Sequence, residues 1–268
     1  MQITAKEVFT GSLYSDCFRV FNKDQWLAQG RLLAQQLGLE AANVRGKEVL
    51  DGGCGHGALV YTLAKLGAKK ATGVDLEPSQ PKEAFTEIPN AVFVKASLME
   101  LPFPDSSFDV AASSGVLHHT INPEKGFSEL VRVLRPGGLL VIGLYGKYGL
   151  FPWTLWLARL ITVKVPLIPY RFVRFLTKIL RLDPIWRYQA LDYLYVPILR
   201  RYTPAQMKAM FERHGINGAH RVSNLTQESA RTYVKANASY TYDHRALSSK
   251  MLFGYGFIVV AGMKSEAL

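Results

Sequence analysis

The first half of the chain alternates between short apolar runs and segments whose apolar residues recur at helical spacing. Each apolar run has the length of a buried strand, and the segment after it is long enough for a helix. This alternation predicts an α/β architecture with a parallel sheet and right-handed crossovers. The predicted strands are 48–51, 70–75, 92–96, 109–113 and 139–144, and the predicted helices cover 23–37 or begin near Ala58, Pro81 and Pro123.

A second pattern follows closer to the C-terminus. Thr203, Pro204 and Gln206 supply an N-cap, a proline at the first helical position and the glutamine of a capping box. The helix that they open is expected to end at Gly215. Two strand-like runs come after it, at 219–222 and 257–262.

About sixty residues lie between the fifth predicted strand and this helix, and they include a predicted basic amphipathic helix at 170–182. Its cations recur at helical spacing opposite an apolar side: Arg171, Arg174, Lys178 and Arg181 against Phe172, Phe175, Leu176, Ile179 and Leu180. Such a helix docks on an anionic membrane, or it covers a substrate pocket and turns its charges to water, and both interpretations stay open. The apolar stretch 150–170 contains two cations and three prolines, which argue against a membrane-spanning helix.

Composition limits the possible classes of protein. With 268 residues, 49% of them hydrophobic, the chain is expected to form one domain with a cap. Two cysteines are too few for a disulfide framework, residues 1–22 lack the apolar run of a signal peptide, and no metal-ligand spacing occurs. We therefore expect a cytoplasmic protein without a metal site.

The net charge of +11 is concentrated in one segment. Residues 145–202 carry ten Lys or Arg and two Asp, which accounts for +8 of the total. A basic patch of this kind suggests nucleic acid as a partner. Residues 113–116 read Ser-Ser-Gly-Val, however, where enzymes that grip a flipped base carry an Asn/Asp-Pro-Pro-aromatic motif after the fourth strand. Nucleic acid is therefore not the expected partner.

The candidate chemistry begins with a glycine loop. Residues 49–57 read Val-Leu-Asp-Gly-Gly-Cys-Gly-His-Gly, and Gly73-Val74-Asp75 places a second carboxylate at a strand end. The loop also fits a dinucleotide fingerprint. Asp51 would repel a pyrophosphate but would favour the sulfonium and ammonium of S-adenosylmethionine, whose ribose diol Asp75 could bind. The residues thus favour S-adenosylmethionine over a nicotinamide dinucleotide.

Three further motifs follow in order: Leu101 to Val110, Val116-Leu117-His118-His119 and Val133 to Gly138. Together with the glycine loop they resemble class I S-adenosylmethionine-dependent methyltransferases, in particular the type found in ubiquinone and menaquinone biosynthesis. The resemblance is close over residues 40–145 and looser over 203–216. It implies a Rossmann-like fold, with a mostly parallel seven-stranded sheet, an antiparallel edge hairpin and a helical cap insertion.

The same resemblance implies the cofactor residues. Asp51, Gly53 and Gly55 would line the methionine part and Asp75 would hold the ribose, with S-adenosylhomocysteine as product. Two positions depart from the pattern, because many relatives have an aliphatic residue in place of Gly52 and an aspartate in place of Ser97, whose neutral hydroxyl is the weaker acceptor for adenine. The full predicted cofactor set is Asp51, Gly53, Cys54, Gly55, Asp75, Leu76, Ser97, Leu98 and Ser114.

Three residues are candidates for catalysis. In similar enzymes the pair His118 and His119 faces the acceptor, and one of them could be a general base, with His119 favoured. The alternative is that His118 fixes the loop and His119 only lines the pocket. Tyr145 follows the fifth strand at the carboxyl edge, where α/β folds bind ligands. For His56, in the glycine loop, we expect a role in shape and packing.

These residues predict a methyltransferase acting on oxygen or nitrogen of a small lipophilic or aromatic acceptor. The alternatives are C-methylation of a quinone-like or other membrane-borne lipid, a nicotinamide-dependent oxidoreductase, and a non-catalytic protein with a cofactor fold. Peripheral membrane contact would use Arg171, Arg174, Lys178 and Arg181. The expected parts of the single domain 1–268 are an N-terminal helical cap (1–40), a cofactor core (41–145), a substrate cap (146–202), and a C-terminal helix with the edge hairpin (203–268).

Overall fold

The computed structural model describes residues 4–18, 21–79, 85–86, 88–148, 150–165, 167–180, 191–222 and 257–266. Its centre is a sheet of seven strands: β1 (Glu48–Gly52), β2 (Lys70–Asp75), β3 (Ala91–Lys95), β4 (Phe108–Ser114), β5 (Leu134–Tyr145), β6 (Ile216–Arg221) and β7 (Phe257–Lys264). They run in the order β3-β2-β1-β4-β5-β7-β6, and only the pairs that involve β7 are antiparallel. The mostly parallel sheet with an antiparallel edge hairpin is therefore confirmed.

The described helices flank this sheet. They are α1 (Ala5–Phe18), α2 (Lys23–Gln36), α3 (Ala41–Val44), α4 (Ala58–Lys65), α5 (Pro123–Val133), α6 (Leu150–Arg159), α7 (Tyr170–Ile179) and α8 (Pro204–Arg213). A 3₁₀ turn covers Leu117–His119, a π-helical turn extends α6 over Leu160–Lys164, and residues 191–195 are helical. The predicted helix starts at Ala58, Pro123 and Pro204 are confirmed, whereas the predicted start near Pro81 lies outside the described residues.

Two strands begin several residues earlier than their patterns predicted. β5 begins at Leu134 instead of residue 139, because Leu134 already pairs with Phe108 ahead of a bulge. β6 begins at Ile216 instead of residue 219. Gly215, at φ +70°, ends the α8 helix and leads directly into the strand.

The core lies on both faces of the sheet because successive strand residues point to opposite sides. Leu50, Leu140 and Ile142 pack with Phe127 of α5 and Phe211 of α8 on one face. The opposite face packs against α2 and α4, through Val49, Val110, Val141, Leu59 and Leu63. This two-sided burial holds the carboxyl ends of the parallel strands in a fixed arrangement, which is what a ligand site at that edge requires.

A smaller cluster forms the cap. Leu13 of α1 packs with Leu191, Tyr195 and Val196, and α7 adds Val173 to this cluster. The α7 helix is thus attached through one side only, and its other side is exposed. None of the helices in the described ranges is both long and apolar enough to span a membrane.

Candidate active site

A cavity that is partly open to solvent lies at the carboxyl ends of β1, β2, β3 and β4. The helices α1 and α2 cover it. Its floor is the glycine loop between β1 and α4, and the turn after β4 closes its far end. This is the edge at which open α/β sheets bind ligands.

Backbone conformation shapes the floor of the cavity. Gly53, Gly55 and Gly57 have φ of +85°, +50° and +77°, in the region that glycine adopts without steric cost. The N–H groups of Gly53 and Cys54 both donate to the Val74 carbonyl, at 2.7 and 2.9 Å. The loop is therefore fastened to β2, and its glycines leave backbone open to a ligand.

Asp75 connects the two strand ends. One carboxylate oxygen accepts the Gly55 N–H and the other accepts the Glu77 N–H, each at 2.9 Å. Burial raises the pKa of Asp75, and these backbone hydrogen bonds oppose that rise. Because a carboxylate oxygen accepts more than one hydrogen bond, Asp75 can still receive two ligand hydroxyls, as a ribose diol would supply.

The cavity wall is acidic. Asp51 is buried, and this burial, followed by the charge of Asp75, raises the pKa of Asp51 to about 7. Glu7 of α1 is a third carboxylate, and none of the lining residues that the structure describes is Lys or Arg. A site with three carboxylates, and with no Lys or Arg among its described lining residues, suits a cationic ligand and disfavours a pyrophosphate. The residues present therefore fit S-adenosylmethionine.

All nine residues predicted for the cofactor lie on this cavity. Ser97 follows β3, and its Oγ accepts the Met99 N–H at 3.2 Å, so part of its acceptor capacity is used by its own turn. Burial and the Asp51 charge raise the pKa of Cys54 well above its usual value, so this thiol stays neutral beside the loop. No group of His, Cys, Asp and Glu suited to a metal ion occurs within the described ranges.

The end of the cavity next to the turn after β4 contains a hydrogen-bonded cluster. His119 lines the cavity, with Nε2 2.8 Å from the Tyr14 hydroxyl and Nδ1 2.8 Å from the Ile198 carbonyl. Tyr14 also contacts Asp192 Oδ1 at 2.6 Å, and Tyr145 contacts Asp192 Oδ2 at 2.5 Å. Asp192 is fully buried, so hydrogen bonds take the place of water around its charge.

The three catalytic candidates lie at different distances from the cavity. His119 faces the cavity, whereas His118 and Tyr145 are not among the lining residues. The His118 ring lies 4.0 Å from that of His119 and 4.3 Å from that of Tyr145, and burial holds the pKa of His118 well below its usual range. Neither ring nitrogen of His118 has a hydrogen-bond partner among the described atoms. His118 therefore remains neutral inside the protein.

His56 lies in the glycine loop, where its role was expected to be one of packing. Its ring lies 5.8 Å from Phe21 and 6.4 Å from Trp26, and its carbonyl accepts the Trp26 indole N–H at 2.9 Å. Burial lowers the pKa of His56 to about 3. The side chain is thus neutral at physiological pH and joins the loop to α2.

Sequence reasoning missed Tyr14 and Asp192. Tyr14 is one of thirteen tyrosines and lies on a helix whose pattern was not recognised. The position of Asp192 could have indicated a role, because residues 145–202 contain ten Lys or Arg and only two acidic residues. An acid isolated in a basic and apolar segment has to be paired or solvated.

Comparison with known proteins agrees with this geometry. Residues 50–142 match the family described as the methyltransferase domain. A probable S-adenosylmethionine-dependent methyltransferase of Mycolicibacterium smegmatis is 30% identical over 120 residues, which are 45% of this chain and 45% of that protein. The 2-methyl-6-phytyl-1,4-hydroquinone methyltransferase of Synechocystis is 40% identical over 100 residues, 36% of this chain and 31% of that protein. The chain thus spans less than half the length of these relatives.

Solved structures agree on the fold. The 1,6-didemethyltoxoflavin-N1-methyltransferase of Burkholderia thailandensis, solved with bound 1,6-didemethyltoxoflavin and S-adenosylhomocysteine, superposes with a TM-score of 0.53 over 99% of this chain and 93% of its own. The identity of 16% limits this likeness to the fold. The predicted resemblance to class I methyltransferases is confirmed, and S-adenosylmethionine is the cofactor of the family to which it points.

Proposed function

We propose that the protein is an S-adenosylmethionine-dependent methyltransferase, whose methyltransferase domain at residues 50–142 binds the cofactor and whose cap binds a small lipophilic acceptor. The observation that carries this proposal is the acidic cavity at the strand ends, with Asp51, Asp75 and Glu7 on its wall and no Lys or Arg among its described lining residues. When bound, the cofactor supplies a methyl group on a positively charged sulfur. The chain's own residues hold and orient the two reactants and exclude water.

Each part of the cavity has a distinct role in this proposal. Asp51 and the N–H groups of the glycine loop would bind the charged methionine end, Asp75 would bind the ribose, and Ser97 and Leu98 would bind the adenine. Tyr14 and His119 lie at the other end and would meet the acceptor. The acceptor atom we propose is oxygen or nitrogen, because this end holds a cluster that can take up a proton. Mass spectrometry of the product would locate the methyl group.

The pH dependence of cofactor binding tests the proposal. In the free protein Asp51 has a pKa raised to about 7, and a cationic ligand binds the ionised carboxylate better than the acid. S-Adenosylmethionine should therefore bind more tightly as pH rises from 5.5 to 7.5, by up to about tenfold per pH unit below the pKa, when binding is followed by calorimetry. The Asp51→Asn variant should bind more weakly and lose this dependence.

Control experiments distinguish S-adenosylmethionine from the alternative cofactor, a nicotinamide dinucleotide. Titration with NADH over the same range should show weak binding that falls with rising pH, because ionised Asp51 repels the pyrophosphate. Tight NADH binding without S-adenosylmethionine binding would favour the oxidoreductase alternative. Cofactor binding without methyl transfer to any lipophilic phenol, hydroquinone or amine would favour the non-catalytic alternative.

We further propose that the protein docks on an anionic membrane through α6 and α7. Phe172, Phe175 and Ile179 recur at helical spacing on α7 and are 56%, 61% and 59% exposed. Trp153 and Trp156 of α6 are 57% and 56% exposed. Large apolar side chains in such number on a surface are typical of an interaction site.

The neighbouring charges favour a lipid surface as the partner. Arg171 and Lys178 are exposed on α7 beside its apolar side, and Arg181, the fourth predicted cation, lies outside the described residues. The attached side of α7 contacts α1 and 191–196, the segments that carry Tyr14 and Asp192. A membrane-borne acceptor would then be close to the catalytic cluster. The predicted cytoplasmic location stays a prediction.

Vesicle sedimentation tests this surface. The wild type should pellet with vesicles that contain phosphatidylglycerol and pellet less with neutral phosphatidylcholine, since each cation near an anionic surface contributes about 1 kcal/mol. Phe172→Ser/Phe175→Ser should abolish binding to both, and Arg171→Glu/Lys178→Glu should abolish the preference for anionic lipid. Met263→Ser and Lys208→Glu, which change an exposed apolar residue and an exposed cation elsewhere, are the matched controls. Equal recovery of the wild type with and without vesicles would contradict the proposal.

A further inference from the structure

A series of short hydrogen-bond contacts runs from the cavity wall into the cap. It passes from His119 Nε2 to the Tyr14 hydroxyl, then to the two oxygens of Asp192, and ends at the Tyr145 hydroxyl. Its members come from α1, the turn after β4, the end of β5 and the helical segment 191–195. Four distant parts of the sequence thus converge on one buried carboxylate.

The number of protons held by this series of hydrogen bonds shows whether it can accept another one. His119 Nδ1 faces the Ile198 carbonyl, and since only an N–H satisfies that contact, we assign the proton of the neutral ring to Nδ1. Tyr145 donates to Asp192 Oδ2. Tyr14 has a single hydroxyl proton, which can go to Asp192 or to His119 but not to both. With a neutral ring and an ionised carboxylate, the chain therefore has room for one more proton.

We propose that Tyr14, His119 and Asp192 form a proton relay that removes the proton of the acceptor, an inference that rests on the proposed methyltransferase function. Tyr14 and His119 line the cavity, and Asp192 lies behind them. The acceptor's O–H or N–H proton passes to the Tyr14 oxygen as the Tyr14 hydroxyl proton moves to His119 Nε2. The acceptor keeps the electron pair of the broken bond and forms the bond to the methyl carbon, while the pair of the breaking C–S bond stays on sulfur.

The charges around His119 suit a base that is neutral at rest. Burial lowers the pKa of His119, the charge of Asp192 opposes this change, and the charge of Arg159 on α6 adds to it. Once protonated, the ring faces Asp192 Oδ1 at 3.5 Å and completes the chain of hydrogen bonds through Tyr14. Asp192 is thus a positioning residue, whose charge stabilises the imidazolium form of His119. Other titratable or charged groups near this cluster include His118, Tyr145, Tyr193, Arg201 and Glu7.

Nuclear magnetic resonance of the imidazole nitrogens tests the relay without turnover or cofactor. The His119 signals, assigned by their loss in His119→Gln, should show the Nδ1–H tautomer in the wild type. Asp192→Asn should lower the pKa of His119 so that its protonation constant falls at least tenfold, because the compensating charge is gone. Tyr14→Phe should also lower it, since the imidazolium loses its hydrogen-bond acceptor.

Tyr195→Phe is the matched control for that titration. It removes a tyrosine hydroxyl from the same cap, where the hydroxyl donates to the Ile168 carbonyl at 3.0 Å and does not belong to the relay. Its His119 titration should match that of the wild type. An unchanged His119 titration in both Asp192→Asn and Tyr14→Phe, or an Nε2–H tautomer in the wild type, would overturn the proposal. Should Asp192→Asn fail to fold, Tyr14→Phe decides alone.

Turnover supplies the second readout. Tyr14→Phe should lower kcat about 100-fold at pH 7, and the deficit should shrink as pH rises and the acceptor ionises unaided. The affinity for S-adenosylmethionine should change less than threefold. A deficit that is equal at every pH would indicate a structural role and overturn the relay. Absence of transfer by the wild type would defeat the proposed function, and the resonance titration would still decide the relay.

Discussion

Replacing Asp75 with alanine is expected to weaken the binding of S-adenosylmethionine at least about 100-fold. The ribose of the bound cofactor would lose two charge-assisted hydrogen bonds to the carboxylate, each contributing about 1.5–3 kcal/mol. The substitution also frees the Gly55 and Glu77 N–H groups that the carboxylate now holds at 2.9 Å. The glycine loop then loses one of its contacts with β2 and keeps the two N–H bonds to the Val74 carbonyl. Titration calorimetry of wild type and variant measures the effect directly.

Glu77→Ala provides the control for charge. It removes a neighbouring carboxylate that pairs with Lys95 at the surface and does not line the cavity, so its cofactor affinity should stay within threefold of the wild type. Thermal unfolding without ligand separates lost affinity from lost structure. A well-folded Asp75→Ala variant with wild-type affinity would remove Asp75 from the cofactor site.

Replacing Gly53 with alanine is expected to lower the free energy of unfolding by about 2–5 kcal/mol and to abolish cofactor binding. At φ +85° an L residue costs about 1–2 kcal/mol, and forcing a methyl group into packed surroundings costs about 1–3 kcal/mol more. The added Cβ would lie 2.2 Å from Val116 Cγ2, so the turn after β4 would have to move. Denaturant unfolding and calorimetry measure the two losses.

Gly46→Ala is the matched control for this substitution. Gly46 has φ +72°, and its added Cβ would meet nothing within 4 Å, so the variant pays for the backbone conformation without a clash. It should be destabilised by only about 1–2 kcal/mol and should bind the cofactor normally. Val116→Ala combined with Gly53→Ala should recover part of the packing loss. Equal stability of Gly53→Ala and Gly46→Ala would contradict the predicted clash.

The half of the cavity that we propose for the cofactor could be predicted because its determinants are local. Asp51 and Asp75 end strands with clear apolar patterns, and the carboxyl ends of parallel strands meet at one edge of the sheet. Glycines at alternate positions show where backbone approaches a ligand. Such short-range signals predicted the parallel strands and a site at their carboxyl edge, and the nine residues that the family resemblance implied for the cofactor all line the cavity there.

The half that we propose for the acceptor could not be predicted in the same way, because its contacts are long-range. Tyr14 and Asp192 meet although they are 178 positions apart, and no periodicity in either segment indicates the other. Long-range contacts also decide which side of α7 is exposed, so the sequence pattern did not predict it. Its pattern fits a buried and an exposed position equally well, and only the attachment through Val173 shows which side faces the protein.

The position of the buried carboxylate has an evolutionary consequence. Tyr14 and Asp192 both lie outside residues 50–142, whereas the carboxylates on the strand ends lie inside them. With the proposed roles, selection on donor binding and selection on acceptor choice would act on largely separate stretches of the gene. Drift in the outer stretches can give descendants a new acceptor while the donor site stays intact, and chimeras that exchange both stretches together should exchange acceptor preference.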